Sequence, residues 1–538
     1  MFDLLLKNGL IADGSGSPAQ KGDIGIKGGK IAAVAVALTA DAAKVIDLEG
    51  RTVAPGFIDI HRHADAALFR SGFGEAELRQ GITTVVNGNC GMSIAPLPLS
   101  PERRREMLRF LAPVTGTLPD EVRFEAFSEY AALLKNRPLP LNVAALAGSG
   151  TIRAAAWGFQ KNFPDDEALK KIHKSLEDAL TAGAPGVSLG MSYMPDSNYT
   201  ATELAKALAP LEGSGRPLVC HVRGEGDLLY ESVEEVIEAA RLLKTPLRIS
   251  HFKCIGRRNW KTLIAKVITL IEECRQGGMR IDCDAYPWTA GSTQMLCLLP
   301  PAFLEGGPEA AGLRLRDSEQ RRACREILLE PGRDFENIVY GVGWGSIYVS
   351  GLGSEKNRPL VGKSIAEIAA AHNIDPYDAA FDLLAEEHCN VTMVDYITCD
   401  EDIETILRLP CTSIISDAIY PGQGRPHPRN NSNISQVFHE LVCRRRILTV
   451  EEAVHKLTYL PAEAMGLHYK GLLRAGFDAD ITVFRPENIS PPADYAEPER
   501  LTSGIDYVFI TGKEAVRGDK LSLTEPLTGT ACGSYLAV

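Results

Sequence analysis

Short runs of alternating apolar and polar residues, separated by turn signals, occur at both ends of the chain. Near the amino terminus, residues 4–6, 23–27 and 30–34 have strand character, and Gly28-Gly29 between the last two runs is typical of a hairpin turn. The same pattern returns at residues 479–484 and 507–511. We therefore predict that residues 1–55 and 471–538 together form one small β-sandwich domain.

Between these ends, strand-like runs alternate with segments of helical pattern. One run ends at His61, and the others lie at residues 83–86, 141–146, 186–189, 217–221, 247–251 and 412–417. Alternation of strands and helices favours a parallel sheet. Seven such strands over about 400 residues fit a (β/α)8 barrel better than a doubly wound sheet. We predict this α/β barrel over residues 56–470. We also predict an inserted subdomain at about 287–340, where strands and helices no longer alternate.

Composition narrows the classes of function. The chain has 538 residues, 45% of them hydrophobic, and a formal charge of -12 without a long basic block, so nucleic acid is not a predicted partner. The amino terminus lacks the features of a signal peptide, and no apolar run is long enough to cross a membrane. Twelve cysteines without paired spacing favour reduced thiols and a cytoplasmic location. Nothing in the sequence indicates the oligomeric state.

Side chains that can bind a metal ion recur just after the predicted strands. Two histidines follow the apolar run 53–60 at alternate positions, and a cysteine, two further histidines and an aspartate follow other runs. Each alone has an ordinary explanation as a buried core residue or a helix N-cap. However, the carboxyl ends of barrel strands converge on one face, so their shared position indicates a metal site. The candidate ligands are His61, His63, Cys90, His221, His251 and Asp417.

The chain resembles the amidohydrolase superfamily and, within it, the D-aminoacylase or N-acyl-D-amino-acid deacylase family. The resemblance runs nearly end to end and is carried by residues 54–63, 81–91, 221–227, 250–253, 416–417, 426–429 and 471–481. The His61-Arg62-His63 motif is common to the superfamily, whereas Asn89-Cys90-Gly91 is much more specific. The resemblance implies zinc-dependent hydrolysis of the amide bond of a small-molecule N-acyl-D-amino acid.

The same resemblance assigns roles to the candidate ligands. Cys90, His221 and His251 would hold one tightly bound zinc ion, and His61, His63 and Asp417 would line a second, weaker site. Three protein ligands leave one position open, as a catalytic zinc requires. Asp417 would be the catalytic proton carrier, taking a proton from water and passing it to the departing nitrogen.

Substrate recognition requires groups that bind the carboxylate of the amino acid. Arginine chemistry and the resemblance point to Arg429, Lys253, Tyr193, Tyr286 and Ser292. If the apolar stretch 295–301 lines the side-chain pocket, neutral or hydrophobic D-residues would be preferred over D-Glu or D-Asp. Departures from the family pattern at Ala64-Asp65, at Ala418 and in the spacing to Arg429 leave the acyl group and the D-residue open.

Two alternatives come from other classes of protein. A cyclic-amide hydrolase of the hydantoinase or dihydroorotase kind, or an isoaspartyl or D-residue dipeptidase, would share the barrel and the histidine pair. These enzymes would carry a bridging, carboxylated lysine on the fourth strand, and residues 186–193 contain no lysine. A non-catalytic scaffold would tolerate loss of ligands, but all six candidate ligands are present.

Overall fold

The computed structural model describes residues 1–421, 423–522 and 532–538. The strands are β1 (Phe2–Ile11), β2 (Gln20–Lys27), β3 (Lys30–Ala35), β4 (Ala42–Asp47), β5 (Thr52–Pro55), β6 (Phe57–Asp59), β7 (Ile82–Asn87), β8 (Asn142–Ala145), β9 (Ala147–Gly148), β10 (Val187–Gly190), β11 (Leu218–His221), β12 (Leu247–Ile249), β13 (Ile281–Ala285), β14 (Ala290–Gln294), β15 (Ile347–Leu352), β16 (Val391–Tyr396), β17 (Thr412–Ile414), β18 (Ile481–Phe484), β19 (Ile505–Ile510), β20 (Lys513–Arg517) and β21 (Lys520–Leu521).

The α-helices lie between and after these strands. They are α1 (Glu75–Arg79), α2 (Pro101–Thr115), α3 (Phe127–Lys135), α4 (Ser149–Trp157), α5 (Asp166–Thr181), α6 (Ala201–Ala207), α7 (Leu229–Leu243), α8 (Leu263–Gln276), α9 (Pro301–Leu304), α10 (Gly307–Arg314), α11 (Ser318–Leu328), α12 (Ile338–Val342), α13 (Ile365–His372), α14 (Pro376–Glu386), α15 (Asp400–Arg408), α16 (Arg429–Ser435), α17 (Val450–Leu457) and α18 (Tyr459–Ala464). A π-helix (Gln436–Arg444) continues from α16.

The predicted (β/α)8 barrel is confirmed. Two parallel sheets, β6-β7-β8 and β9-β10-β11-β12-β13-β17, form its wall. They join where β8 runs into β9, and a parallel bridge between Arg62 and Ala418 closes the ring. The sequence pattern does not predict β13, because Asp282 and Asp284 interrupt its apolar residues. Asp284 is nevertheless fully buried inside the barrel, where it faces His61 and Arg248.

The seam between β6 and β17 is held by a buried arginine. Arg62 donates hydrogen bonds to Asp59 Oδ2 (3.1 Å) and Glu77 Oε1 (2.9 Å), and also to the hydroxyl of Tyr420. Asp59 in turn accepts a hydrogen bond of 2.5 Å from the Ser416 hydroxyl, just after β17. A buried charge is stable only when it is paired and hydrogen-bonded, so this network fixes the first and last barrel strands relative to each other.

Both chain ends contribute to one nine-stranded sheet, as predicted. Its order is β21-β20-β19-β18-β5-β1-β2-β3, with β4 paired to β1. Strand β18 runs antiparallel to β5, which joins the carboxyl-terminal half of the sheet to the amino-terminal half. Side chains of this sheet, among them Leu6, Ile24 and Phe509, form an apolar cluster that is separate from the barrel core. The predicted domain limits at residues 55, 56, 470 and 471 remain predictions.

An insertion lies between β13 and β17. It contains the antiparallel sheet β14-β16-β15 and the helices α9 to α14. Strand β14 follows β13 almost directly, so this small sheet begins at the mouth of the barrel. The predicted limits of the inserted subdomain, 287–340, likewise remain a prediction. Within the described ranges, no helix is both long enough and apolar enough to cross a membrane.

We expect Arg62→Met to destabilise the protein by about 3–5 kcal/mol, because the substitution leaves the buried carboxylates of Asp59 and Glu77 without their cation. Denaturant unfolding followed by tryptophan fluorescence would measure the change. The exposed Arg103→Met is the matched control and should unfold like the unsubstituted protein. Equal unfolding midpoints for both variants would contradict the role of this network.

Candidate active site

The candidate ligands lie at the carboxyl ends of barrel strands, in tight loops. Cys90 follows β7, His251 follows β12 and Asp417 follows β17, and all three have left-handed backbones with φ of 53°, 34° and 54°. Such a conformation is uncommon for residues with a side chain and clusters at functional sites. Gly91 also has a positive φ, and a Cβ atom there would lie 2.6 Å from Asp196 Oδ2. This glycine therefore allows the loop that presents Cys90.

The structure brings the six predicted ligands together around the barrel mouth. In each of three groups of residues, the possible ligand atoms lie within 4.8 Å of one another. The groups are His61 with Cys90 and His251, His61 with His63 and Asp417, and His221 with Glu225 and His251. The Cys90 sulfur lies 3.4 Å from His61 Nε2 and 3.5 Å from His251 Nε2. Asp417 Oδ1 lies 3.5 Å from His61 Nε2 and 3.4 Å from His63 Nε2.

The two anionic ligands have strongly perturbed pKa values. Burial raises the pKa of the Cys90 thiol, but the neighbouring His61 and His251 outweigh burial and lower it well below its ordinary value. Burial likewise opposes ionisation of Asp417, yet the Arg429 guanidinium and the hydrogen bond with His63 hold its pKa well below the usual range. These surroundings favour the anionic form of both groups.

These residues fit a zinc ion. Imidazole nitrogen, thiolate and carboxylate are the donors that zinc prefers. The Nε2 atoms of His61 and His251 face the Cys90 sulfur, and the Nδ1 atom of His61 lies 3.4 Å from Asp284 Oδ1. A carboxylate behind the distal nitrogen is the usual support of a metal-binding histidine, because it orients the ring.

Glu225 is a member of the site that the sequence did not reveal. Its Oε1 atom accepts hydrogen bonds from Lys253 Nζ (2.6 Å) and approaches His251 Nδ1 (2.9 Å). Its Oε2 atom lies 3.7 Å from His221 Nε2. Burial raises the pKa of Glu225, but Lys253 and the two histidines lower it to about 2 overall. The one indication of Glu225 in the sequence is its position four residues after His221, within a segment that carries the family resemblance.

A cavity opens onto the ligands. Four of the predicted substrate-binding residues line it: Tyr193, Lys253, Tyr286 and Ser292. The Tyr193 hydroxyl is 2.9 Å from Thr293 Oγ1, and its ring packs against His221 with a centroid distance of 4.9 Å. The Ser292 hydroxyl donates to the carbonyl of Met393, so the insertion fixes its position. The apolar stretch contributes Cys297, Leu299 and Pro301 to the wall.

Arg429, the fifth predicted substrate-binding residue, contacts Asp417 directly. Its Nη2 atom lies 2.9 Å from Asp417 Oδ2 and donates to the carbonyl of Ser292 (3.0 Å). The guanidinium also lies 4.6 Å from the centre of the Tyr286 ring. Its Nε and Nη1 atoms have no hydrogen-bond partner among the described residues. Arg429 thus orients Asp417 and keeps two donor groups free.

Comparison with known proteins agrees with this geometry. The sequence pattern of the amidohydrolase family matches residues 44–342 and 403–516. A D-aminoacylase of Alcaligenes xylosoxydans is 31% identical over 95% of this chain and 94% of its own length. An N-acyl-D-glutamate deacylase of the same organism is 31% identical, over 95% of this chain and 93% of its own.

A solved structure shares the whole architecture. The N-acyl-D-glutamate deacylase of Bordetella bronchiseptica, crystallised with zinc and a phosphonate mimic of the tetrahedral intermediate, superposes with a TM-score of 0.82. It is 28% identical in sequence, and the match covers 100% of both chains. The present chain therefore belongs to the amidohydrolase family. Within that family it is a member of the D-aminoacylase and N-acyl-D-amino-acid deacylase group.

We expect Cys90→Ala to lose bound zinc, because the substitution removes the thiolate that His61 and His251 face. Elemental analysis after zinc loading and desalting would measure the metal content per chain. Cys324→Ala, a substitution of a buried thiol in α11, is the matched control and should retain zinc. Full zinc content in Cys90→Ala would exclude Cys90 as a ligand of the tightly bound ion.

Proposed function

We propose that this protein is a zinc-dependent deacylase that hydrolyses the amide bond of N-acyl-D-amino acids, releasing a carboxylate and a free D-amino acid. The observation that carries the proposal is the Cys90 sulfur between His61 and His251 at the barrel mouth, in a chain 31% identical to a D-aminoacylase. Cys90, His221 and His251 would hold the tightly bound ion, and His61, His63 and Asp417 would line the weaker site. A bound zinc ion lowers the pKa of water towards about 7 and polarises a carbonyl group.

Asp417 is the proposed catalytic proton carrier. The lowered pKa keeps the carboxylate unprotonated, so it has a free position for the proton of the attacking water, whose own pKa a bound zinc ion would lower. Arg429 holds the Oδ2 atom, which leaves Oδ1 facing the imidazoles of His61 and His63. The same carboxyl group then donates the proton to the amide nitrogen, because an amine leaves poorly unless it is protonated.

The α-carboxylate of the substrate is the group that the cavity-lining donors would bind. Lys253 carries a buried positive charge, and Tyr193, Tyr286 and Ser292 offer hydroxyl groups on the same cavity. Arg429 is fully buried and is not among the residues that line the cavity, so it would support this site through its contact with Asp417. Binding of the carboxylate would hold the amide carbonyl next to the ligand cluster. Holding the reacting groups in position in this way lowers the barrier of the reaction.

The cyclic-amide hydrolases and isoaspartyl dipeptidases are not favoured. Strand β10 and the following residues contain serine, leucine, glycine and methionine but no lysine, so the bridging carbamate of those enzymes has no source there. Cys90 supplies the anionic ligand in its place.

Where the protein acts is also part of the proposal. We infer a cytoplasmic enzyme that works on a small molecule rather than on nucleic acid or at a membrane surface. All twelve cysteines are free thiols, which suits a reducing compartment. The net charge of -12 does not favour binding to nucleic acid.

We expect the zinc-loaded protein to hydrolyse N-acetyl-D-amino acids and to leave the L-enantiomers intact. The ligand cluster would fix the position of the amide and Lys253 that of the carboxylate, and only one enantiomer can place both groups correctly. Release of free amino acid from N-acetyl-D- and L-methionine, leucine and glutamate would measure this. Among the D-substrates, we expect methionine and leucine to exceed glutamate, given the apolar wall formed by Cys297, Leu299 and Pro301. Equal turnover of both enantiomers would refute the proposed function.

We expect Asp417→Asn to lower kcat by roughly 10² to 10⁴, the usual contribution of a general acid–base group, while zinc stays bound. The amide keeps the shape of the carboxyl group but cannot carry the proton. Steady-state kinetics with N-acetyl-D-methionine, together with zinc analysis of the same sample, would check both parts. An unchanged kcat in the zinc-containing variant would exclude Asp417 as the proton carrier.

A further inference from the structure

Asp395 is a buried carboxylate that lines the active-site cavity together with Asp417, Glu225 and Glu336, and it has no role in the chemistry described so far. Asp395 lies on β16 of the inserted sheet, is only 2% exposed and forms part of the cavity wall. Its Oδ1 atom is buried and has no hydrogen-bond partner among the described residues. Buried polar atoms in proteins nearly always have a partner, so one that faces a cavity without a partner points to a ligand.

The neighbouring strand carries a glycine beside this carboxylate. Gly291 on β14 lies directly opposite Asp395. A Cβ atom at Gly291 would lie 2.8 Å from Ile397 Cδ1, 2.9 Å from Asp395 Oδ1 and 3.3 Å from the Tyr286 hydroxyl oxygen, so any side chain here would crowd all three. Glycine therefore keeps a side chain of β14 from covering the carboxylate, and both Gly291 and Asp395 line the cavity.

The cations of the site are already paired with other carboxylates. Lys253 Nζ lies 2.6 Å from Glu225 Oε1, and Arg429 Nη2 lies 2.9 Å from Asp417 Oδ2. Burial raises the pKa of Asp395 to about 6, although Lys253 and Arg429 act to lower it. A cation bound beside Asp395 would favour its ionised form and give Oδ1 the partner that it lacks among the described residues.

The surfaces near this charge are apolar. Leu299, Cys297 and Ile397 line the same cavity. Asp395 together with these apolar residues suits a side chain that has a hydrocarbon stem and a cationic head, because the stem packs while the head pairs with the acid. An acidic side chain would instead meet a like charge at close range.

We propose that Asp395 binds the cationic end of the substrate's side chain, and that the preferred substrates are N-acyl derivatives of basic D-amino acids such as D-lysine, D-ornithine and D-arginine. This inference rests on the proposed deacylase function and specifies its substrate class. The preferred substrate would therefore differ from the one for which the N-acyl-D-glutamate deacylase is named. Asp395 would determine specificity and take no part in bond cleavage.

Pairs of substrates that differ only in charge test the proposal with the unsubstituted, zinc-loaded protein. N-acetyl-D-lysine and N-acetyl-D-norleucine have the same four-carbon stem, and N-acetyl-D-arginine and N-acetyl-D-citrulline have nearly the same shape. We expect kcat/KM to be at least about tenfold higher for the charged member of each pair, the usual contribution of a hydrogen bond to a charged group.

Asp395→Asn should remove this preference. We expect kcat/KM for N-acetyl-D-lysine to fall at least about tenfold, mainly through KM, while the value for N-acetyl-D-norleucine stays within about threefold. Glu355→Gln, which removes an exposed carboxylate of the same insertion, is the matched control and should change neither value. Zinc content and melting temperature, measured on each variant, would show that the site remains intact.

The outcomes separate this inference from the function on which it rests. Norleucine turned over as well as lysine by the unsubstituted protein, or an equal loss for both substrates in Asp395→Asn, would overturn only the role of Asp395. Failure to hydrolyse any N-acetyl-D-amino acid would overturn the deacylase function and this inference with it.

Discussion

Closure of the barrel between β6 and β17 is the constraint on which the site depends. His61 and His63 follow the first strand, whereas Asp417 follows the last, more than 350 residues later in the chain. The Asp417 backbone N–H donates to the carbonyl of His61, and His63 N–H donates to the carbonyl of Ala418. The buried Arg62 network stabilises the same seam. If the seam opened, the two histidines would separate from the carboxylate that they face.

A dense set of buried charges is stabilised here by mutual pairing. Isolated ionised groups would be costly inside a protein, but Glu225 is compensated by Lys253 and Asp417 by Arg429. These ion pairs also favour the ionised form of the carboxylates and fix the positions of their oxygen atoms. The left-handed backbones at Cys90, His251 and Asp417 belong to the same arrangement, since they turn the side chains towards one point.

Chemistry and selectivity come from different parts of the chain. The barrel loops supply the ligand cluster and Asp417, whereas the insertion supplies Gly291, Ser292 and Asp395. An insertion can change without moving the barrel strands, so the side-chain pocket can vary while the ligands stay in place. One relative is named a D-aminoacylase and another an N-acyl-D-glutamate deacylase, which is in keeping with such a division.

The sequence by itself determined the barrel, the shared β sheet of the two ends and the six candidate ligands, because each strand run and the ligand after it are adjacent in the chain. It could not reveal β13, whose aspartates are acceptable only because Asp284 meets His61 and Arg248 inside the ring. It also could not reveal Glu225 or Asp395, since a carboxylate in a sequence looks like any surface charge. Asp395 reaches the cavity through pairing of β14 with β16, strands about 100 residues apart. Such long-range contacts exist only in the folded molecule, and they decided which charges are paired and which carboxylates line the cavity.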